Sequence, residues 1–102
     1  MDGANPAIII AGKVYVAEEE RDASVAKFAE MVLRAREFPG CLDFVIAPDP
    51  LEDDRINMFE CFESEERLEA WRAVASAPDS GAEILRLEVQ KHVVSESGPP
   101  FS

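Results

Sequence analysis

The chain has 102 residues, 47% of them hydrophobic, with 21 acidic against 10 basic side chains and a net charge of −11. That is enough chain to fill one core without staples, and too acidic a surface to bind through a phosphate backbone or an anionic lipid layer. No stretch longer than a strand is continuously apolar, and MDGANPAIII lacks the basic flank and cleavage pattern of an export signal, so the expectation is a cytoplasmic protein with no nucleic-acid and no membrane partner.

AIIIAGKVYV, residues 7–16, is β-branched and aromatic with one charge, and reads as a first strand. EEERDAS then opens a helix, with Asp22 or Ser24 as N-cap and acids near the positive end of the helix dipole. Val25, Phe28, Ala29, Val32 and Leu33 follow at helical spacing as one inner stripe, and Pro39-Gly40 ends the helix. CLDFVIA, residues 41–47, is a second strand, and PDPLEDD, with two prolines and four acids, is a solvated loop. INMFECF, residues 56–62, is a third strand. Ser64 caps a second helix whose inner stripe is Leu68, Trp71, Val74 and Ala75, and which ends before Pro78. EILRLEVQKHVV, residues 83–94, is the last strand, with the state of Leu85 and Arg86, helical turn or strand, left open. A single domain over 1–102 is expected, with flexible tails at 1–6 and 96–102.

Strand, helix, strand, strand, helix, strand, joined by right-handed crossovers, predicts an α+β, ferredoxin-like βαββαβ fold: a four-stranded antiparallel sheet with two helices on one face. The third strand is apolar on both faces, with Ile56, Met58 and Phe62 on one and Phe59 and Cys61 on the other. Two helices cover only one of them. Four strands of five residues present roughly 300 Å² on the open face, the largest apolar patch that a soluble monomer ordinarily shows. A second copy of the chain is the economical cover, so a homodimer through the open sheet face is expected.

FPGCLDF after the first helix, followed by RINMFECFESEERLEAW, resembles the antibiotic biosynthesis monooxygenase domain over about residues 8–94. The resemblance implies a dimeric α+β barrel with an apolar cleft between sheet and helices. It also implies cofactor-independent oxidation of a hydrophobic aromatic phenol or quinol by O₂, the reduced substrate itself supplying the electrons. Such chemistry needs an apolar pocket, groups that bind phenolic oxygens, and help with deprotonation. Phenol-oxidising members of the family carry Trp, Asn and Tyr where this chain has Phe62, Met58 and Leu68, none with a hydrogen-bonding handle. Trp71 falls on the ring-distorting Trp of haem-degrading members, but Gly81 stands where their haem-ligating His would be, and Gly12 near their first-strand Asn. Haem degradation is therefore the weaker expectation. Quinol-oxidising members often have His at the position of Trp71.

The expected catalytic residues are Glu60 and Trp71, and the expected substrate-binding residues are Met58, Phe62, Leu68, Phe44 and Tyr15. Glu60 shares strand parity with Met58 and Phe62, which makes it a half-buried carboxylate suited to a general base; the alternative is a structural pairing with Arg72, Arg67 or a backbone N–H. Trp71 either packs in the core or offers its indole N–H to a substrate oxygen, and Tyr15 either donates to a ligand or ends a strand at the surface. Asn57 and Asp43 point to the opposite face, and His92, the only histidine, is read as solvated. Cys41 and Cys61 straddle a hairpin that turns near Leu51 and would sit roughly opposite each other, either paired or, as the commoner case, free. No metal cluster and no phosphate loop is present in the pattern, and no cofactor is expected. A non-catalytic dimeric binder of small molecules, or a purely structural dimer with Trp71 and Phe62 filling the cleft, are the competing readings.

Overall fold

A computed structural model describes residues 6–101. Its elements in chain order are β1 (Ile8–Tyr15), α1 (Glu18–Lys27), α2 (Ala29–Glu37), β2 (Cys41–Pro48), β3 (Arg55–Phe62), α3 (Glu65–Arg72) and β4 (Arg86–Val93). The strands form one antiparallel sheet in the order β2-β3-β1-β4, and the helices lie on one face of it. This is the ferredoxin-like α+β arrangement expected from the element order. Residues 1–5 and 102 of the expected tails lie outside the described residues, and residues 94–101 form no helix or strand.

The first helix differs from its sequence reading in three ways. It starts at Glu18, with Ala17 as a cap that offers no side-chain hydrogen bond, so neither Asp22 nor Ser24 is the N-cap; Glu18, Glu19 and Glu20 beside the positive end of the dipole supply the start signal instead. It is divided at Phe28, whose N–H donates to the carbonyl of Val25 at 3.1 Å, a tightened i−3 turn. Its inner stripe is Ser24, Met31 and Ala35, with Phe28 and Val32 packed beside it, while Ala29 and Leu33 are exposed.

In α3 the Ser64 hydroxyl accepts the N–H of Arg67 at 3.2 Å, the N-cap expected there. The helix stops at Arg72 and leaves Val74 exposed rather than on the inner stripe, whereas Leu68 and Trp71 are buried. β4 begins at Arg86 and not Glu83. In β2 a bulge between Cys41 and Asp43 puts Cys41 opposite Phe62 and Asp43 opposite Cys61. The two thiols do not face each other because the hairpin is centred on Glu52 rather than Leu51, as the pairings of Phe44 with Glu60 and Pro48 with Ile56 show, and both are free.

The core lies between sheet and helices and consists of Ile8, Ile10, Met31, Ala35, Phe44, Phe62, Leu68 and Trp71. On the opposite face Ile9, Ala11, Val45, Phe59 and Cys61 lie side by side in the register, and none of the described helices covers them.

Candidate functional site

The period-two alternation of β3 sends Ile56, Met58, Glu60 and Phe62 toward the helices, and the neighbouring strands follow: Glu60 pairs with Ile10 and Phe44, and Met58 with Gly12 and Ile46. The space between sheet and helices is then divided lengthwise. At the α3 end it is filled, since Phe62 and Leu68 are fully buried and Trp71 is 3% exposed. Trp71 meets Phe38 and Phe44 edge-on, with ring centroids 5.5 Å and 5.9 Å away, and the Arg34 guanidinium lies 5.7 Å from its ring.

At the α1 end a cavity of about 220 Å³ remains open. Its floor is Phe44, Ile46, Ile56, Met58, Glu60 and Val14 from three strands, and its roof is Ser24, Phe28 and Met31 from the first helix. Ser80, Ile84 and Leu87 close the side toward β4. The wall is apolar except for three side chains: Glu60, Ser24 and Ser80.

Among the described residues the Glu60 carboxylate takes part in no hydrogen bond or ion pair, so the alternative of a structural pairing with Arg72, Arg67 or a backbone N–H is not met there. Burial pushes its pKa above the ordinary carboxylate range, and the positive charge of Arg72 opposes that shift without cancelling it. Ser24 is 2% exposed, and among the described residues its hydroxyl has no partner.

Of the residues expected at the site, Phe44, Met58 and Glu60 come together at the cavity. Phe62, Leu68 and Trp71 pack in the filled end, where Trp71 stands behind Phe44. Tyr15 belongs to the other face of the sheet: its hydroxyl donates to the two carboxylate oxygens of Glu52 at 3.1 and 3.2 Å, and the Arg86 guanidinium lies 4.2 Å from its ring centroid. Asn57 also points away from the cavity; it donates to Asp49 at 2.8 Å and accepts from Arg55 at 2.6 Å. His92 is exposed on β4. Ser24, Phe28 and Met31 were missed as site residues. Their spacing of four and then three, with a small polar residue at the head of an otherwise apolar stripe, is the signal that identifies them.

Among the described residues no three His, Cys, Asp or Glu side chains come together as a metal site, and no helix is long and apolar enough to cross a membrane. A wider and shallower depression of about 810 Å³ lies on the other face of the sheet, lined by Ala11, Lys13, Arg55, Asn57, Glu88 and Gln90 among others.

Residues 7–77 match the profile of the family described as antibiotic biosynthesis monooxygenase. A solved structure of a candidate antibiotic biosynthesis monooxygenase from Chloroflexus aurantiacus is similar with 28% identity and a TM-score of 0.71, over 91% of this chain and 97% of that one. A second from Deinococcus radiodurans shares the fold at 12% identity and a TM-score of 0.79, over 93% and 99% of the two chains. A haem degrader of Mycobacterium tuberculosis, solved with two haems bound in its active site, shares the fold at 17% identity and a TM-score of 0.64, over 92% and 100%. No curated protein matches the sequence.

Proposed function

Because this chain belongs to the antibiotic biosynthesis monooxygenase family, we propose that it is a cofactor-independent monooxygenase whose cavity takes a hydrophobic aromatic phenol or quinol. Glu60 is the general base. The observation that carries the reading is its unpaired carboxylate, aimed into an apolar cavity and held at a raised pKa by burial. A carboxylate with a raised pKa is a stronger base than a free one, and by taking the hydroxyl proton it makes the ring electron-rich enough to reduce O₂. A phenol and one O₂ then give a quinone and one water: one oxygen atom stays on the ring as a carbonyl, the other leaves as water, and the ring loses four electrons. Met58 and Phe44 hold the ring, and Trp71 acts at one remove by backing Phe44.

A tetrapyrrole does not fit this site, since about 220 Å³ lies below the roughly 300–1,000 Å³ of pockets for drug-sized ligands. A second reading, a dimeric binder without turnover, is favoured by the burial of Trp71 away from the cavity. In either case the dimer forms through the open sheet face, around Phe59 and Val45.

Oxygen uptake with a panel of phenols and quinols decides between the two. General-base catalysis is commonly worth about 10²–10⁴-fold, so Glu60→Gln is expected to lower turnover by at least about a hundredfold. Uptake that is unchanged in this variant removes Glu60 from the chemistry; ligand-induced thermal stabilisation with no uptake by the parent protein establishes the binder.

A further inference from the structure

Ser24 sits in the interior of α1, where a serine hydroxyl ordinarily faces water or donates to the carbonyl one turn back. Here it does neither. The residue is 2% exposed, its oxygen has no partner among the described residues, and it lines the cavity from the roof. A buried hydroxyl without a partner is unfavourable unless something satisfies it; the other polar side chains of the wall are Ser80, on the side toward β4, and Glu60, on the floor, where the rest of the floor is apolar and Met58 offers only a weakly accepting sulfur. The volume narrows the choice of ligand. An engineered apolar cavity of about 150 Å³ takes up benzene, so about 220 Å³ accommodates one aromatic ring with two small substituents and not a fused polycycle.

We propose that Ser24 is the second polar anchor of the cavity, and that the site selects a one-ring quinol whose oxygens lie at opposite ends of the ring, one held by Ser24 on the helix roof and one by Glu60 on the sheet floor. This rests on the functional reading above and names its substrate class. Ser24 positions the ring, and Glu60 faces the hydroxyl that loses its proton.

Anaerobic calorimetric titration with three probes of similar size tests the assignment: 1,4-dihydroxybenzene, 4-methylphenol and toluene. The parent protein is expected to bind the dihydroxy probe about tenfold more tightly than 4-methylphenol, the difference expected of one hydrogen bond. Ser24→Ala and Ser24→Cys are expected to abolish that preference while binding 4-methylphenol as the parent does. Because Ser24→Ala removes an unpartnered polar atom, its melting temperature is expected to equal or exceed the parent value, which verifies that the variant is folded. A preference that survives in both variants, or one absent from the parent, overturns the role of Ser24 and leaves the functional reading standing. Failure of all three probes to bind the parent overturns the occupied cavity itself, and both readings with it.

Discussion

Glu60 and Asp49 are carboxylates that the fold shifts in opposite directions, and each shift has a stability consequence. Asp49 is held down at about 2, first by the hydrogen bond from Asn57 and then by the backbone N–H groups of Glu52 and Leu51. What it contributes is present above the unfolded carboxyl value of about 3.9 and is lost as pH falls toward 2. Glu60 is raised, by burial against the weaker pull of Arg72, so the folded state keeps its proton to higher pH than the unfolded chain does. Its cost is absent below the unfolded value of about 4.3, grows as pH rises through the shifted value, and is complete above it. Glu60→Gln is therefore expected to gain melting temperature relative to the parent at pH 8 and to lose that gain on acidification to pH 4. A difference that stays constant between those pH values would mean that Glu60 is not desolvated. The orientation of Glu60 was legible from strand parity alone. The inward turn of the Ser24 hydroxyl was not, because a serine after a run of acids reads as a cap, and only the packing of α1 against the sheet buries it.

At the scale of elements, the strands were the legible part. Their apolar runs and the Pro-Gly and Pro-Asp-Pro breaks bracket β1, β2 and β3 within a residue or two, and Ser64 marks the start of α3 through a local hydrogen bond. The break at Phe28 had no such signal: AKFAE contains neither proline nor glycine, and the turn tightens where Phe28 meets the cavity. The bulge in β2 was equally silent, and the hairpin turns at Glu52, one residue later than its composition suggests, which is why the two cysteines read as roughly opposite each other. Gly12 matters for the sheet in a way that its sequence context, a glycine inside a strand, only hints at. With φ at +156°, a Cβ there would lie 2.0 Å from the carbonyl oxygen of Glu88 and 2.7 Å from the Cα of Val89 on β4. Those are backbone atoms and cannot rotate away. Gly12→Ala is expected to destabilise the fold by on the order of 1–3 kcal/mol, read as a lower urea midpoint with an unchanged slope. Full stability would show that β4 can move off β1 at no cost.

For the whole molecule, the open sheet face sets the next level of organisation. Ile9, Ala11, Val45 and Phe59 adjoin on it, and an apolar patch of that extent calls for a cover. Sedimentation of the parent protein is expected to give a dimer, and Phe59→Glu, which places a carboxylate at the centre of the patch, a monomer with its helices intact. A monomeric parent would refute face-to-face pairing. The hairpin loop between β2 and β3 has a different kind of importance. Arg21 Nη1 reaches the carbonyls of Asp49, Glu52 and Arg55 at 3.3, 2.7 and 3.4 Å, so the loop is fastened to α1 one turn ahead of Ser24. To a protein engineer, surface loops are the usual places for tags and inserted peptides. This one is mechanically continuous with the roof of the cavity, and a peptide spliced into it would pull on α1 above the cavity; the connection at 75–85 is no freer, since Ser80 and Ile84 line the same cavity, and residues 94–101, which line no part of it, are the better graft point.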